Sequence, residues 1–252
     1  MTLTYRLARI LVPPLLWLYF RIRVRGRHRV PRRGGLLIVA NHTSHLDPIL
    51  VGHAALPRDL HFFARSSLFK NRLFGGLLRR LQAIPVARGQ GDREALQRAL
   101  ALLEEGKALV VFPEGTRSPD GQLGEAKPGV GLLALQAGVP IICAHISGAH
   151  RAFPRGAKFP RPRKIRIEWG EPRTPERWRA LGPADERPAR AIVQALMDEL
   201  ASLGGQSRIS QQNTSSASGC SESSNPQGPQ CPMGAEPTEA TRSECAESKS
   251  SH

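Results

Sequence analysis

Acidic residues are absent from the start of this chain: the first is Asp47, and nine arginines stand in residues 1–33. Aromatic residues make up only 5% of the 252 residues. With no segment that interleaves basic and stacking side chains, this argues against a single-strand nucleic-acid binder. Four cysteines and no C-x-x-C pair exclude a disulfide scaffold and leave no pattern for a structural zinc site. No G-x-S-x-G elbow is present, which removes the serine-esterase reading. The longest apolar run near the start, residues 10–20, has eleven residues and carries Pro13 and Pro14. A straight spanning helix needs about 20 apolar residues.

The balance of what is present is basic. Lysine and arginine number 36 against 21 acidic residues, a net charge of +15. Composition changes after Leu203: residues 204–252 contain no leucine, valine or aromatic residue and are rich in Ser, Gly, Gln and Glu. Such a segment buries too little apolar surface to offset its ordering entropy, so a disordered tail is expected there. The tail holds three of the basic and five of the acidic residues, so the body alone reaches +17. Seven basic residues and no acid lie in 151–166. Charge of this sign points to an anionic membrane face or a phosphorylated substrate. Three of the four cysteines sit in the tail without an obvious partner, which fits a reducing compartment.

Short β-branched and apolar runs predict strands at 22–25, 36–40, 61–64, 83–87, 108–112, 140–147 and 164–169. Helical periodicity lies between them, best at 92–105 and 187–203. The alternation predicts an α/β domain with a central, mostly parallel sheet flanked by helices over 24–203. Residues 1–23 are expected to form a membrane-associated helical segment, with Leu15, Leu16, Trp17 and Phe20 inserted below the headgroups and arginines on both flanks; a helix buried against the body is the alternative. Residues 65–81 carry a second basic amphipathic pattern, which suits either a membrane interface or an ordinary surface helix.

Two polar segments follow predicted strands, where α/β proteins place their sites. The first is Asn41-His42-Thr43-Ser44-His45-Leu46-Asp47-Pro48. Asp47 before Pro48 reads as a helix cap, and it also stands where a carboxylate can accept from one ring nitrogen of His42, leaving the other as a base. His42, His45 and Asp47 lack a fourth ligand pattern, so no metal is expected. The second segment is Pro113-Glu114-Gly115-Thr116-Arg117-Ser118, with a glycine for close backbone approach and an arginine fork suited to phosphate.

Together, NH-x4-D and FPEGTRS resemble the 1-acyl-sn-glycerol-3-phosphate acyltransferase family, the glycerophospholipid acyltransferases. Ala83-Ile84-Pro85-Val86-Ala87-Arg88, Glu125-Ala126-Lys127-Pro128-Gly129 and Val139-Pro140-Ile141-Ile142 resemble further blocks of that family, and the similarity runs over about residues 24–171. Cys143 stands where a second proline is common, and Ala87 where an aspartate is frequent. The resemblance implies transfer of a fatty acyl group from acyl-CoA or acyl carrier protein to the sn-2 hydroxyl of lysophosphatidate, without a cofactor. It implies His42 as base and Asp47 as its orienting partner. Arg88, Arg117 and Lys127 would take the acceptor phosphate, with Glu114, Gly115 and Thr116 in the acceptor-binding loop. A monotopic or peripheral protein on the cytoplasmic membrane face follows, with no nucleic-acid partner. Cys143 reads as an inert buried thiol. Another acceptor, glycerol 3-phosphate or a different lysolipid, and a non-catalytic basic membrane-binding protein are the alternatives.

Overall fold

The computed structural model describes residues 3–86, 92–183 and 187–205. Contacts gather Met1–Ile209 into one unit and Ser210–His252 into another. The tail expected to be disordered lies, apart from its first two residues, outside the described residues, as does Arg88.

The chain opens with helix α1 (Leu3–Phe20), then strand β1 (Arg23–Arg25), β2 (Leu36–Ala40), α2 (Asp47–Ala54) and β3 (Leu60–Arg65). It continues through α3 (Arg72–Arg80), β4 (Ala83–Val86), α4 (Asp92–Glu104), β5 (Ala108–Val111), α5 (Pro128–Gln136) and β6 (Ile141–Ser147). It closes with α6 (Ala149–Ala152), β7 (Arg166–Trp169), α7 (Pro175–Leu181) and α8 (Pro188–Leu203). The seven strands form one sheet in the order β1-β7-β6-β2-β5-β3-β4. Among the described strand pairs only β6–β7 is antiparallel.

Two cores explain why β2, β5 and β6 read as unbroken apolar runs. Leu36, Ile38 and Ala40 of β2 face one layer, where Leu50 and Val51 of α2 pack. Leu37 and Val39 face the other, with Leu103 of α4, Leu133 of α5 and Leu196 of α8. Strands covered on both faces lose the apolar–polar alternation of half-exposed ones. The helices following the adjacent strands β2 and β5 thus leave toward opposite faces of the sheet. Such a switch point opens a crevice beyond the carboxyl ends of the strands.

Three local expectations change. The segment 65–81 is not one helix. Arg65 ends β3, a 3-10 turn covers Ser66–Phe69, and Asn71 starts α3 by accepting from the amides of Leu73 and Phe74 at 3.0 Å. An asparagine side chain competes for backbone donors and so favours a cap over a helix interior. In α1, Leu16 and Phe20 do not project outward. Spaced i,i+4, they share one stripe and pack on the core layer of α2, while Leu15, Trp17 and Leu18 are exposed. Asp47 is the first residue of α2 rather than its cap, because its carboxylate turns back onto the preceding loop. Among the described residues no helix is long and apolar enough to cross a membrane.

Candidate active site

The site is assembled from the two loops that leave β2 and β5. Asp47 is fully buried. Its Oδ2 accepts from the amides of Thr43 at 2.6 Å and Ser44 at 2.7 Å, and lies 2.9 Å from His42 Nδ1. An ionised carboxylate only accepts, so the ring proton sits on Nδ1 and Nε2 keeps its lone pair. The imidazole stacks on Phe112, with ring centroids 4.2 Å apart, and remains 19% exposed. This is a histidine fixed in tautomer and plane with one ring edge open, the arrangement required of a general base.

The two loops are stitched together through the backbone. Glu114 Oε1 accepts from the His42 amide at 2.9 Å, and its Oε2 from Gly124 at 3.2 Å. The Ser118 amide donates to the His42 carbonyl at 2.8 Å. Asn41 fixes the loop from the other side, donating to the Ile146 carbonyl and accepting from the Ile146 amide. Both oxygens of the buried Glu114 are therefore engaged by main-chain donors. Glu114 shapes the loop after β5 rather than offering a free group to a ligand.

Burial raises the Glu114 pKa above the usual carboxylate range, against the opposing effect of its two amide donors. A carboxyl that binds its proton more tightly when folded contributes stability at low pH that is lost as the pH rises through its folded pKa. Wild type is therefore expected to lose melting temperature relative to Glu114→Gln as the pH climbs from 4 to 7. Parallel melting curves for the two proteins across that range would contradict it.

Gly115 holds φ of +65°, and a Cβ there would meet Lys127 Cε at 2.6 Å. Glycine thus permits both the turn and the passage of the lysine chain across it. Lys127 is anchored through its amide, 2.8 Å from the Pro113 carbonyl, and is exposed, as is Thr116. Arg117 is half-buried beside the histidine loop. Its Nη1 is shielded from solvent and has no hydrogen-bond partner. Burial, then the charge of Arg155, lowers its pKa, with Arg65 acting in the same direction and Asp47 against it. Arg65 and Arg155 are thus neighbours of the site that the motifs did not point to. Arg65 closes β3, next to β5 in the sheet. Arg155 arrives through Phe153, whose carbonyl accepts from Ser44 Oγ at 2.9 Å and whose ring meets His45. Desolvation, together with Arg117 and His42, lowers the His45 pKa.

Cys143 is buried in β6 with Sγ 3.7 Å from the Leu196 carbonyl, and burial pushes its thiol well up. It does not reach the site. Among the described residues no group of three His, Cys, Asp or Glu side chains could hold a metal ion. A cavity of about 730 Å³ lies at the opposite end of the sheet, lined by Arg27, Arg29 and Arg58. Those arginines bind the carbonyls of Ala54, Trp169, Gly34 and Gly106, so they close the fold there.

Residues 21–147 match the model of the acyltransferase family. The chain belongs to that family. It is 28% identical to a 1-acyl-sn-glycerol-3-phosphate acyltransferase of Bacillus subtilis over 182 residues, covering 72% of this chain and 87% of that protein. Identity to a chloroplastic enzyme of the same name from Arabidopsis thaliana is 27% over 143 residues, 56% of this chain and 40% of that protein. The crystal structure of a 1-acyl-sn-glycerophosphate acyltransferase from Thermotoga maritima superposes with a TM-score of 0.60 at 25% identity, covering 80% of this chain and 83% of that one. For an acyltransferase, a partly exposed histidine held by Asp47, with Arg117 on the neighbouring loop and its Nη1 without a partner, is the arrangement to be explained.

Proposed function

We propose that this acyltransferase moves a fatty acyl group from a thioester, acyl-CoA or acyl carrier protein, to the sn-2 hydroxyl of 1-acyl-glycerol 3-phosphate, yielding phosphatidic acid for phospholipid synthesis. The reading is carried by one observation: the His42–Asp47 pair lies within the electrostatic reach of Arg117, whose Nη1 has no hydrogen-bond partner. A hydroxyl has a pKa far above 7, so it needs a base as it attacks. His42 Nε2 takes the hydroxyl proton while the oxygen bonds to the thioester carbonyl carbon. Asp47 stabilises the resulting imidazolium. When the tetrahedral intermediate collapses, the carbon–sulfur bond breaks and the imidazolium returns its proton to the departing thiolate. The thioester is already activated, so no covalent acyl-enzyme is needed and the buried Cys143 has no part.

Arg117 and Lys127 hold the acceptor phosphate in this reading, with Arg88 of the block beginning at Ala83. Thr116 and Gly115 form the loop that lets the phosphate approach, and Glu114 positions it. The acceptor and the product are lipids, so the protein attaches to one membrane face, the cytoplasmic one, through the exposed apolar side of α1. The same reading favours lysophosphatidate over glycerol 3-phosphate as acceptor, on the similarity to the Bacillus and Thermotoga enzymes.

A panel of acceptors and thioester donors, with products identified by mass spectrometry, tests the substrate assignment. Losing a charge-assisted contact to phosphate costs about 1.5–3 kcal/mol. Arg117→Ala is therefore expected to raise the acceptor KM about ten- to a hundred-fold and leave the donor KM close to wild type. Equal effects on both substrates would remove Arg117 from the acceptor site.

A further inference from the structure

The segment that joins α6 to β7, residues 153–165, carries neither sequence motif and touches the site only through Phe153 and Arg155, yet it is firmly fastened. It is tied down at three points before it reaches Ile165. The Phe153 carbonyl accepts from Ser44 Oγ at 2.9 Å, the Arg161 amide donates to the Ala152 carbonyl at 2.7 Å, and the Tyr19 hydroxyl donates to the Pro160 carbonyl at 2.9 Å. A turn closed from Ala157 N–H to the Pro154 carbonyl at 3.2 Å, with Gly156 at φ +89°, shapes its tip. On this fastened loop the Phe159 side chain is 79% exposed. Among the described large hydrophobic residues only Leu73, at 89%, is more exposed. Lys158, Arg161 and Arg163 flank Phe159 and are exposed.

The topology places this loop at the mouth. Strand β7 runs antiparallel to β6, with Arg166 paired to Ser147, so the loop enters at the end of the sheet where β2 and β6 finish. Helix α1 ends there too, since the Ile165 amide donates to the Phe20 carbonyl and Arg23 pairs with Arg166. On the far side of the site, β3 leaves the same end of the sheet toward the exposed Leu68, Leu73 and Phe74. Four strand spacings separate β7 from β3, about 19 Å. The crevice therefore lies between two exposed apolar rims. The rim on the β7 side is also crowded with like charge: Arg23, Arg166 and Arg21 lower the Lys164 pKa.

We propose that the 153–165 loop is a membrane-contact element, with Phe159 entering the acyl boundary of an anionic bilayer and Lys158, Arg161 and Arg163 meeting its headgroups. It rests on the reading that the acceptor is a membrane lipid. Two rims, α1 with this loop on one side and α3 on the other, then set the mouth against the bilayer. An acidic protein would satisfy the cations alone. Phe159 together with the exposed Leu15, Trp17 and Leu18 of α1 and Leu68, Leu73 and Phe74 across the mouth makes an apolar set that an acidic protein surface would leave unsatisfied.

The test uses the full chain and flotation with vesicles of phosphatidylcholine alone or mixed with phosphatidylglycerol. Phe159→Asp is expected to lower partitioning to the mixed vesicles about tenfold, while Phe159→Leu stays near wild type. Turnover of a short-chain acceptor that is monomeric in solution should be unchanged in both. Leu18→Ser, on the exposed face of α1, is the comparator. If it loses flotation and Phe159→Asp does not, the loop inference fails and membrane attachment stands. If neither variant changes flotation, both fail, and the acceptor panel still decides the reaction. A Phe159→Asp variant that loses turnover on the soluble acceptor in step with flotation overturns the docking role. So does one that only raises the KM for an acyl carrier protein donor, which would make the loop a protein dock.

Discussion

His42→Ala is expected to lower kcat by about 10³-fold, inside the 10²–10⁴ range usual for an acid–base group, while far-ultraviolet circular dichroism and melting temperature stay near wild type. The stability half follows from position. The ring is partly open to solvent and rests on Phe112, whereas the backbone bonds that hold the loops, from the His42 amide to Glu114 and from Ser118 to the His42 carbonyl, survive the substitution. The kinetic half follows from the chemistry. Without Nε2 the hydroxyl must lose its proton to water as it attacks, and the departing thiolate has no nearby acid. Both substrates still bind through groups that alanine does not disturb, so their KM values should stay within about threefold. Single-turnover acyl transfer with purified protein checks this. Turnover near wild type would remove His42 from the mechanism, and a large rise in the acceptor KM would make it a binding group instead.

Much of the architecture was legible because three strands are buried on both faces. An apolar run such as Leu36–Ala40 has no exposed position to fill with a polar residue, so its length alone marks it. The polar residues after it then stand out as a site. Side-chain direction within apolar helices was not legible. In α1 apolar residues occur around most of the circumference, and nothing local says that Leu16 and Phe20 face the protein while Leu15 and Trp17 do not. Only the position of the α2 core layer decides that.

Within the motifs, which residues meet at the site was legible from the sequence, and their hydrogen-bond partners were not. Glu114 follows a strand beside a glycine and an arginine, where a carboxylate reads as a ligand-facing group. The fold uses it to hold two amides. Arg155 shows the opposite case. It lies 38 positions beyond Arg117 in a merely basic stretch, and the contacts of Phe153 with Ser44 and His45 bring it to the site. No periodicity encodes a contact of that kind, since it depends on where the chain between α6 and β7 crosses the end of the sheet.

Asp47→Asn separates charge from geometry at the same pair. With its amide oxygen in the place of Oδ2, asparagine still accepts from the amides of Thr43 and Ser44 and from His42 Nδ1, so the loop and the tautomer persist. Its nitrogen falls at Oδ1, a buried position with no hydrogen-bond partner in the protein, which costs some stability. What disappears is the negative charge that stabilises the imidazolium formed as the hydroxyl attacks. Hydrogen bonds to an ionised acceptor are about twice as strong as neutral ones, and the difference grows in a fully buried site. The expected loss in kcat is about 10²–10³-fold, smaller than for His42→Ala because a base remains in place. Combining the two substitutions should cost little more than His42→Ala alone, since the charge acts only through the imidazole. Measured kcat values for the two single variants and the double variant form the cycle that checks this. Additive losses would mean that Asp47 serves the reaction by a route that does not pass through His42.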